Sequence, residues 1–345
     1  MNIHFEQLDR EDPLAPFRNE FHIPKLNARE DQIYLLGHSL GLQPRLTQKI
    51  INDELEAWQQ KGLNGYFTGE NPWYTYHDLV NKTMATIVGA QTNEVVVMNS
   101  LSVNLHFMMA SFYRPTRERH KILIEEHAFP SDHYAVVSQI QLHGYNPEDS
   151  LLIVNPREGE ETICLADVLE MIDKEGPSIA LVLLPGVHYY TGQVYDMKTI
   201  TEAGHTQGCN VGFDLAHAAG NIPLSLHDWN MDFACWCNYK YLNSGPGSVA
   251  SCFIHEKHAT DKSVFRLAGW WGHDKNTRLD MPPQFDPTPG AEGWQVSNSP
   301  LFSLAAIRAS MEVFDKVGGI LKLRAKSENR RLAKIKTIWR HCLVQ

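Results

Sequence analysis

The sequence contains no long apolar segment. None of its 345 residues lies in an uninterrupted run of 18 or more apolar residues, so we expect no helix that spans a membrane. The first twenty residues also lack the basic start and the apolar core of a secretory signal peptide. These two absences predict a cytoplasmic protein that has no membrane partner.

Cysteine is scarce, and acidic residues outnumber basic ones. The six cysteines form no CxxC pair and lie mostly in apolar stretches, which is typical of reduced, buried thiols rather than of a disulfide scaffold. Lysine and arginine total 31 against 40 aspartates and glutamates, a net charge of −9. Because nucleic-acid and anionic-membrane binders need basic surface, this balance speaks against both classes and still allows a small anionic ligand.

Internal repeats and low-complexity tracts are absent too, which excludes solenoids and disordered linkers. The sequence instead alternates short apolar runs with stretches of helical periodicity. The predicted strands are residues 94–98, 121–125, 178–184, 210–213, 232–237 and 248–254. The predicted helices include residues 101–112, 131–142, 165–174 and 200–207. This order predicts an α/β fold, a mostly parallel sheet with helices on both faces and ligands beyond the carboxyl ends of the strands.

Two charged residues follow neighbouring predicted strands. Asp214 follows residues 211–213, and a carboxylate there could hold a ligand or could cap a helix. Lys240 stands between Tyr239 and Tyr241, where it could be a solvated loop residue or a partly desolvated amine of low pKa. Together they fit pyridoxal phosphate chemistry, in which a lysine holds the aldehyde as an imine and an acid keeps the pyridine nitrogen protonated.

Two further segments that follow strands suit the same cofactor. Residues 99–102 offer hydroxyls and backbone N–H groups at a predicted helix N-terminus, where a phosphate binds without any basic patch. Simple helix capping is the alternative there, since serine and asparagine are common caps. Phe129 could stack on a flat ring, although a core aromatic is an equally good interpretation.

Longer stretches of the sequence resemble the kynureninase family. Its members are fold-type-I pyridoxal phosphate enzymes of the aspartate aminotransferase superfamily. The similarity is clearest in residues 212–218 (GFDLAHA) and 236–243 (WCNYKYLN). The other matching segments are residues 36–44, 128–134, 156–162 and 269–273. The resemblance runs from about Phe17 to Arg324 and implies the fold-type-I architecture with pyridoxal 5′-phosphate as cofactor and no metal.

The resemblance implies a role for each matching residue. Lys240 holds the cofactor and moves protons at the substrate α-carbon, Asp214 pairs with the pyridinium nitrogen, and Tyr239 is a general acid or a phosphate ligand. Tyr66 and Asn298 are the implied substrate-binding residues. The implied cofactor-binding residues are Leu101, Ser102, Phe129, Pro130, Ser131, Asp132, Asp214, His217, Tyr239, Lys240, Trp270 and Asn298.

Members of this family cleave the Cβ–Cγ bond of L-kynurenine or 3-hydroxy-L-kynurenine with water. The products are L-alanine and anthranilate or 3-hydroxyanthranilate, a step of tryptophan catabolism that leads to NAD biosynthesis. Family members are homodimers with shared active sites. The resemblance therefore implies a homodimer with a small amino-acid substrate, in which Trp270 and Asn298 approach from the partner subunit or from the rim of the site.

Two features depart from the family. Family members continue into a small domain whose arginine binds the substrate carboxylate, and the last residues of this chain do not resemble it, so an inactive truncated subunit that binds cofactor is an alternative. Tyr66 stands where a histidine or tryptophan is often found, which leaves the substrate preference open, although Asn298 is compatible with the hydroxylated substrate.

From the helical pattern over 300–340 we also expect an exposed apolar stripe. The expected divisions are an N-terminal segment of the small domain with dimer contacts (1–50), a large cofactor-binding domain (51–299) and a bridging helix that begins a truncated domain (300–345).

Other functions fit parts of the sequence less well. Residues 37–41 match the G-x-S-x-G pattern of α/β-hydrolases, but too few residues precede Ser39 for that fold. His255 and His258 are one residue short of zincin spacing, which favours a structural loop. Cysteine desulfurases and aminotransferases share the aspartate and lysine arrangement, yet Cys342 is the only late cysteine and nothing around it indicates activation.

Overall fold

The computed structural model describes residues 3–330, with a seven-stranded sheet at its centre. The strands in this range are β1 (Phe21–His22), β2 (Gln43–Pro44), β3 (Val95–Val97), β4 (Lys121–Glu125), β5 (Leu151–Val154), β6 (Ile179–Pro185), β7 (Asn210–Asp214), β8 (Phe233–Trp236) and β9 (Ser251–Ile254). β1 and β2 pair with each other, and the other seven form the sheet in the order β3-β9-β8-β7-β6-β4-β5.

Most pairs in the large sheet are parallel. β9 is antiparallel to both of its neighbours, β3 and β8, and every other pair runs parallel. The predicted mostly parallel α/β sheet is therefore confirmed. Because β4, β6, β7 and β8 point the same way, the residues that follow them meet at one edge of the sheet, where such folds bind their ligands.

Helices connect the strands and cover the sheet. The α-helices in the described range are α1 (Ile3–Arg10), α2 (Leu46–Lys61), α3 (Asp78–Val88), α4 (Leu101–Phe112), α5 (Pro130–Leu142), α6 (Pro147–Ser150), α7 (Leu165–Glu175), α8 (Met197–Thr206), α9 (Glu256–Ala259) and α10 (Leu301–Val317). Sequence patterning predicted α4 and β4 with the observed bounds. It did not name α2 or β5, because α2 buries only three residues and β5 is mostly half-buried.

Alternate residues of the central strands enter two separate cores, one on each face of the sheet. In β6, Val182 and Leu184 join one core, whereas Leu181 and Leu183 join the other. Helices α3, α7, α8 and α10 cover the first face, and α4 and α5 cover the second. Strands that are buried on both sides need apolar residues at every position, which explains the uninterrupted apolar runs in the sequence. The prediction of helices on both faces is confirmed.

The long C-terminal helix is shorter and more buried than the sequence led us to expect. α10 ends where Gly318 and Gly319 adopt positive φ angles, and helical residues resume at 320–330. Leu304, Ile307 and most other apolar residues of α10 are buried, with α2 and α3 packed against the helix. The expectation of an exposed apolar stripe is therefore wrong for α10. In the helical residues 320–330, Ile320 is buried and Leu321 is 69% exposed, and the rest of that prediction, beyond residue 330, lies outside the described residues.

The described residues contain no membrane-spanning helix and no disulfide. No helix within residues 3–330 combines the length and the apolarity needed to cross a membrane. The five described cysteines are all free thiols, and Cys235 and Cys252 face each other across β8 and β9 with their Sγ atoms 3.6 Å apart. Cys342 lies outside the described residues. The division of the chain into three parts stays a prediction.

Candidate active site

A cavity of about 700 Å³ opens at the carboxyl edge of the sheet. It is lined by residues that end or follow β3, β4, β6, β7 and β8. These residues are distant in sequence and meet because the strands point the same way. The lining residues are Ser100, Leu101, Ser102, Glu125, Phe129, Ser131, Asp132, Pro185, Val187, Tyr189, Asp214, Ala216, His217, Tyr239 and Lys240. Nine of the predicted site residues are in this set, and Pro130 lies between two of its members.

Asp214 presents a buried carboxyl group to the cavity. It ends β7 and is 8% exposed, and its Oδ1 accepts a hydrogen bond from the backbone N–H of Ala216 at 2.6 Å. Burial raises the pKa of Asp214, although contacts with Asp132, Ala216 and Lys240 oppose the rise. The carboxyl group thus fixes the turn that follows β7 and also faces the cavity, and the helix-cap alternative is wrong because residues 215–220 form no helix.

Lys240 reaches the same cavity from the turn that follows β8. Because β7 and β8 are parallel neighbours, this turn lies beside Asp214. The Nζ atom lies 2.9 Å from Nε2 of His217 and 5.8 Å from the centre of the Phe129 ring. Burial, with the charges of Lys240 and of two further histidines, lowers the pKa of His217 to about 4. A neutral His217 can therefore accept a hydrogen bond from Lys240 at its Nε2 atom.

Two more carboxyl groups, those of Asp132 and Glu125, lie close to Asp214. Asp132 stands in the first turn of α5, and burial together with the neighbouring Asp214 raises its pKa well above the ordinary value. Glu125 ends β4, and burial raises its pKa to about 8, with Asp214 contributing to the rise. Three carboxyl groups that cannot all ionise together mark a place where a cation is stabilised.

The N-terminal segment packs directly against the turn that carries Lys240. The backbone N–H of Gly41 donates to the carbonyl of Tyr239 at 2.8 Å. A side chain at position 41 would collide with Asn243 and with the carbonyl of Lys240, so this close approach requires glycine. Burial raises the pKa of Tyr239 to about 12, which keeps its hydroxyl group protonated as a donor.

The start of α4 forms the far side of the cavity. Asn99 adopts a left-handed φ of 51°, which turns the chain sharply from β3 into the helix. Ser100 occupies the N-cap without a side-chain cap, so the N–H groups of the first turn are not satisfied by it. Leu101 and Ser102 therefore present backbone donors and a hydroxyl at a helix N-terminus, an arrangement that binds phosphate.

Phe129 and Pro130 form the turn into α5. Pro130 is the first helical residue, a position that suits its fixed φ, and Ser131 donates a hydrogen bond to Asp132 at 3.3 Å. The Phe129 ring is 46% exposed and meets the Tyr189 ring edge to face, with centroids 5.2 Å apart. The exposed ring is therefore not a core aromatic and can cover a flat ligand.

Three predicted site residues lie away from Lys240 within one chain. Asn298 donates to the Tyr66 hydroxyl at 3.2 Å, and both residues line a separate pocket of about 330 Å³ that also includes Trp271. Trp270 is 44% exposed and donates from Nε1 to the carbonyl of Arg278 at 3.0 Å. Their assignment to the cofactor or substrate stays a prediction that needs a second subunit.

Neither local motif forms the site that it resembles. Ser39 lies in a turn, and residues 32–36 directly before it form no β-strand, so it is not a nucleophile elbow. His255 caps α9 by accepting from the Lys257 N–H, whereas His258 contacts Asp232 at 2.7 Å. The two histidines therefore serve different structural partners.

Comparisons with known proteins decide the family. Residues 33–260 match the family model "Aminotransferase class-V". The kynureninase of Koribacter versatilis is 56% identical over 93% of this chain and 76% of its own length. That of Myxococcus xanthus is 55% identical over 93% of this chain and 75% of its own length. The chain belongs to the kynureninase family.

Solved structures agree on the fold. A cysteine desulfurase from Thermococcus onnurineus superposes with a TM-score of 0.69 and 17% identity, covering 96% of this chain and 75% of that one. The enzyme C-DES, solved with glycine covalently linked to its PLP cofactor, gives a TM-score of 0.68 and 16% identity over 84% of this chain and 72% of that one. The predicted fold-type-I architecture is confirmed, and the desulfurase likeness extends to the fold alone.

The cofactor of this kynureninase-family chain is pyridoxal 5′-phosphate, as predicted, and the donor groups in the cavity fit it. A protonated ring nitrogen needs an anion, and Asp214 forms no ion pair with any residue in the described range. A phosphate needs N–H donors, which the start of α4 provides. An aldehyde needs an amine, and Lys240 supplies it.

Sequence reasoning missed several residues of the cavity. Glu125, Pro185, Val187 and Tyr189 line it and were not predicted as site residues. The signal for Glu125 was available, because it is a charged residue at the end of an apolar strand, as Asp214 is. The other three carry no comparable signal, since apolar and aromatic residues after a strand usually belong to the core.

Proposed function

We propose that this chain catalyses the hydrolytic cleavage of the Cβ–Cγ bond in L-kynurenine or 3-hydroxy-L-kynurenine. The oxygen of water adds to the aryl ketone carbon, and the bond to Cβ breaks with its electron pair on Cβ. A proton added to Cβ completes L-alanine. The other product is anthranilate or 3-hydroxyanthranilate, formed with release of one proton. Kynureninases more than 50% identical over most of the chain support this reaction.

The convergence of Lys240 and Asp214 in one cavity carries the proposal. The two residues lie 26 positions apart and come from neighbouring parallel strands. The phosphate-binding helix start and the exposed Phe129 ring border the same space. An amine, a buried carboxyl, an N–H cradle and an aromatic face are the four elements that a pyridoxal phosphate site requires.

Each of these elements has a distinct task toward the cofactor. When bound, pyridoxal phosphate acts as an electron sink for the negative charge that develops on the substrate carbons. Asp214 holds the proton of the ring nitrogen through its charge. The first turn of α4 binds the phosphate, with Leu101 and Ser102 at its start, and Phe129 covers one face of the ring.

Lys240 and its neighbours handle the protons. The Lys240 amine is placed to remove and return a proton at the substrate α-carbon once its own proton has left. His217 is neutral, so its Nε2 accepts from Lys240 and orients the amine without adding positive charge. Tyr239 keeps its proton because burial raises its pKa to about 12, so it can donate to a developing oxyanion or to the phosphate.

Absorption spectroscopy tests the cofactor and the reaction in one series. We expect the purified chain to give a visible imine band with pyridoxal phosphate, and Lys240→Ala to lack it. Addition of 3-hydroxy-L-kynurenine should then release alanine. Lys257→Ala, a lysine outside the cavity, is the matched control and should keep the band. A band without alanine contradicts the hydrolase function, and no band at all contradicts the cofactor site.

We also propose that two copies of the chain form a homodimer with shared active sites. The N-terminal segment exposes large apolar side chains, with Ile33 90% and Leu35 78% exposed, next to the turn of Lys240. Trp270 and Asn298 lie outside the cavity of their own chain. A partner subunit that covers the N-terminal segment and brings these residues to the cavity accounts for both observations.

Mixed subunits test this assembly. Lys240→Ala and Trp270→Ala chains should each be inactive or impaired alone. If sites are shared, unfolding and refolding the two together should restore activity to a fraction of the hybrid dimers. A mixture of Lys240→Ala with Asp214→Asn chains, both altered on the same side, is the control that should not recover. Sedimentation equilibrium that finds only monomers would contradict the proposal.

We also propose that this chain is located in the cytoplasm. All five described cysteines are free thiols, and two of them, Cys235 and Cys252, lie in neighbouring strands of the sheet. Reduced, closely spaced thiols such as Cys235 and Cys252 are typical of a reducing compartment. Fractionation of cells that express a tagged chain should recover it with cytoplasmic markers, and recovery in an exported fraction contradicts this location.

A further inference from the structure

Glu125 places a third carboxyl group at the cofactor cavity. It is the last residue of β4, it is 5% exposed, and it borders the same cavity as Lys240. Its backbone is fixed by the parallel register with β5, where Glu125 lies opposite Val154. The family resemblance implies roles for Asp132 and Asp214 and none for Glu125.

The groups that face Glu125 come from three elements. Asp132 on α5 and Asp214 at the end of β7 are like-charged neighbours. Tyr195 precedes α8, and burial together with the charge of Glu125 raises its pKa. Its buried hydroxyl has no hydrogen-bond partner among the described residues. Lys240 is the only lysine or arginine among the residues that line the cavity, and its charge acts on Asp214.

This arrangement does not support three negative charges. A single lysine faces three carboxyl groups, and the two that contact each other, Asp132 and Asp214, share their charge. Burial of Glu125 opposes its ionisation, and its pKa of about 8 agrees with a carboxylic acid that keeps its proton at neutral pH. An ionised Glu125 would add like-charge repulsion to the Asp132 and Asp214 pair.

We propose that Glu125 is a positioning residue of the cofactor site: its carboxyl group remains neutral, so that the negative charge offered to the cofactor ring nitrogen resides on the Asp132 and Asp214 pair. The proposal rests on the cofactor site described above. It assigns the three acids of that site to one neutral group, Glu125, and one charged pair, Asp132 and Asp214. Glutamine has the shape of a neutral glutamic acid, so it should replace Glu125 at neutral pH.

Infrared spectroscopy of the cofactor-free protein tests the protonation state directly. The difference spectrum between wild type and Glu125→Gln at neutral pH should contain the C=O stretch of a protonated carboxylic acid. This band should disappear as the pH rises through about 8. Glu126→Gln, which alters the adjacent and more exposed glutamate, is the matched control and should show no such band. Absence of the band in the Glu125 comparison overturns the proposal.

Cofactor binding provides a second measurement. At neutral pH we expect Glu125→Gln to bind pyridoxal phosphate within about threefold of the wild-type dissociation constant. The ¹⁵N chemical shift of labelled cofactor should show the ring nitrogen still protonated. A loss of affinity of tenfold or more together with a deprotonated ring nitrogen would mean that Glu125 acts as an anion, which overturns the proposal.

The imine band tests the cofactor site, and the infrared band tests the protonation of Glu125, so the two can fail separately. If wild type forms no imine band, the cofactor site fails, whereas the infrared measurement uses no cofactor and still decides the protonation of Glu125. If Glu125→Gln does not fold, the pH dependence of the carboxylic acid band in wild type decides instead. A wild-type band that persists unchanged well above pH 8 or never occurs contradicts the assignment of the titrating group to Glu125.

Discussion

Asp232 directly precedes β8, and Asp214 is the last residue of β7. Because these strands are parallel, the two buried aspartates lie at opposite ends of the strands, with Asp214 at the cofactor edge and Asp232 at the opposite edge. Asp232 accepts from Nε2 of His205 at 2.9 Å and from Nε2 of His258 at 2.7 Å, and Lys257 lies 3.0 Å away. Asp214 accepts one backbone N–H and otherwise faces carboxyl groups and a lysine that contacts a histidine.

The pKa values follow this difference. Burial opposes the ionisation of Asp232, but hydrogen bonds from His205 and His258 and the charge of Lys257 outweigh it, so its pKa is held well below the usual range. Burial dominates at Asp214 and raises its pKa. A carboxylate that stabilises the fold has its charge compensated by the protein, whereas one that serves a cationic ligand lacks that compensation until the ligand binds.

The strongest test of this contrast removes the charge at the cofactor edge. We expect Asp214→Asn to lower kcat/KM by about 10³-fold, because the ring nitrogen loses its anionic partner. The stability of the cofactor-free protein should not fall, since asparagine can still accept the Ala216 N–H, and the carboxylate that is removed has no ion-pair partner among the described residues. Steady-state kinetics and thermal unfolding without cofactor measure the two effects. A large loss of stability would show that Asp214 is a structural residue as well.

The opposite edge should respond in the opposite way. Asp232→Asn should lower the free energy of unfolding by about 3–5 kcal/mol, because it leaves His205, His258 and Lys257 without their buried anion. The kcat per folded molecule should stay close to wild type, since Asp232 is remote from the cavity. Urea unfolding and activity normalised to bound cofactor check both statements. Equal losses of activity in the two asparagine variants would remove the distinction between the edges.

Acid titration sharpens the same comparison. The pKa of Asp232 is lower in the folded than in the unfolded protein, so the unfolded state binds more protons as the pH falls. The stability due to Asp232 is therefore present above its unfolded pKa, about 4, and is lost as the pH falls below that value. Wild type should lose stability steeply there, and Asp232→Asn should lose less. Parallel acid unfolding curves for the two proteins contradict the assignment.

The sequence predicted the cofactor edge better than its opposite. Parallel strands bring the residues that follow them to one edge, so Asp214 and Lys240 could be expected to meet from patterning alone, and they do. The Asp232 cluster could not be predicted, because His205, Asp232 and His258 are separated in sequence and come from different elements. Glu125 was overlooked as the last residue of an apolar run. No pattern within one chain reports which residues a partner subunit supplies.

A smaller effect is expected from the hydrogen bond between His217 and Lys240. His217→Leu removes a neutral acceptor from a charged donor, and such a bond contributes about 1.5–3 kcal/mol, so kcat/KM should fall by roughly 10–100-fold. His217→Gln, which keeps an acceptor, should recover part of the loss. His258→Leu at the opposite edge is the control and should affect stability instead of rate. If His217→Leu and His217→Gln were equally impaired, orientation of the amine by an acceptor would be the wrong explanation.

The smallest effect should come from the lysine beside Asp232. The side chain of Lys257 is 33% exposed, and its Nζ also donates to the carbonyl and the side chain of Asn230. Exposed ion pairs contribute little and are screened by salt, so Lys257→Met should cost about 1 kcal/mol at low ionic strength and less in high salt. Lys262→Met, which alters a more exposed pair, should cost no more than about 0.5 kcal/mol. Urea unfolding at two salt concentrations measures both. A loss near that of Asp232→Asn would show that the lysine, rather than the two histidines, compensates the buried carboxylate.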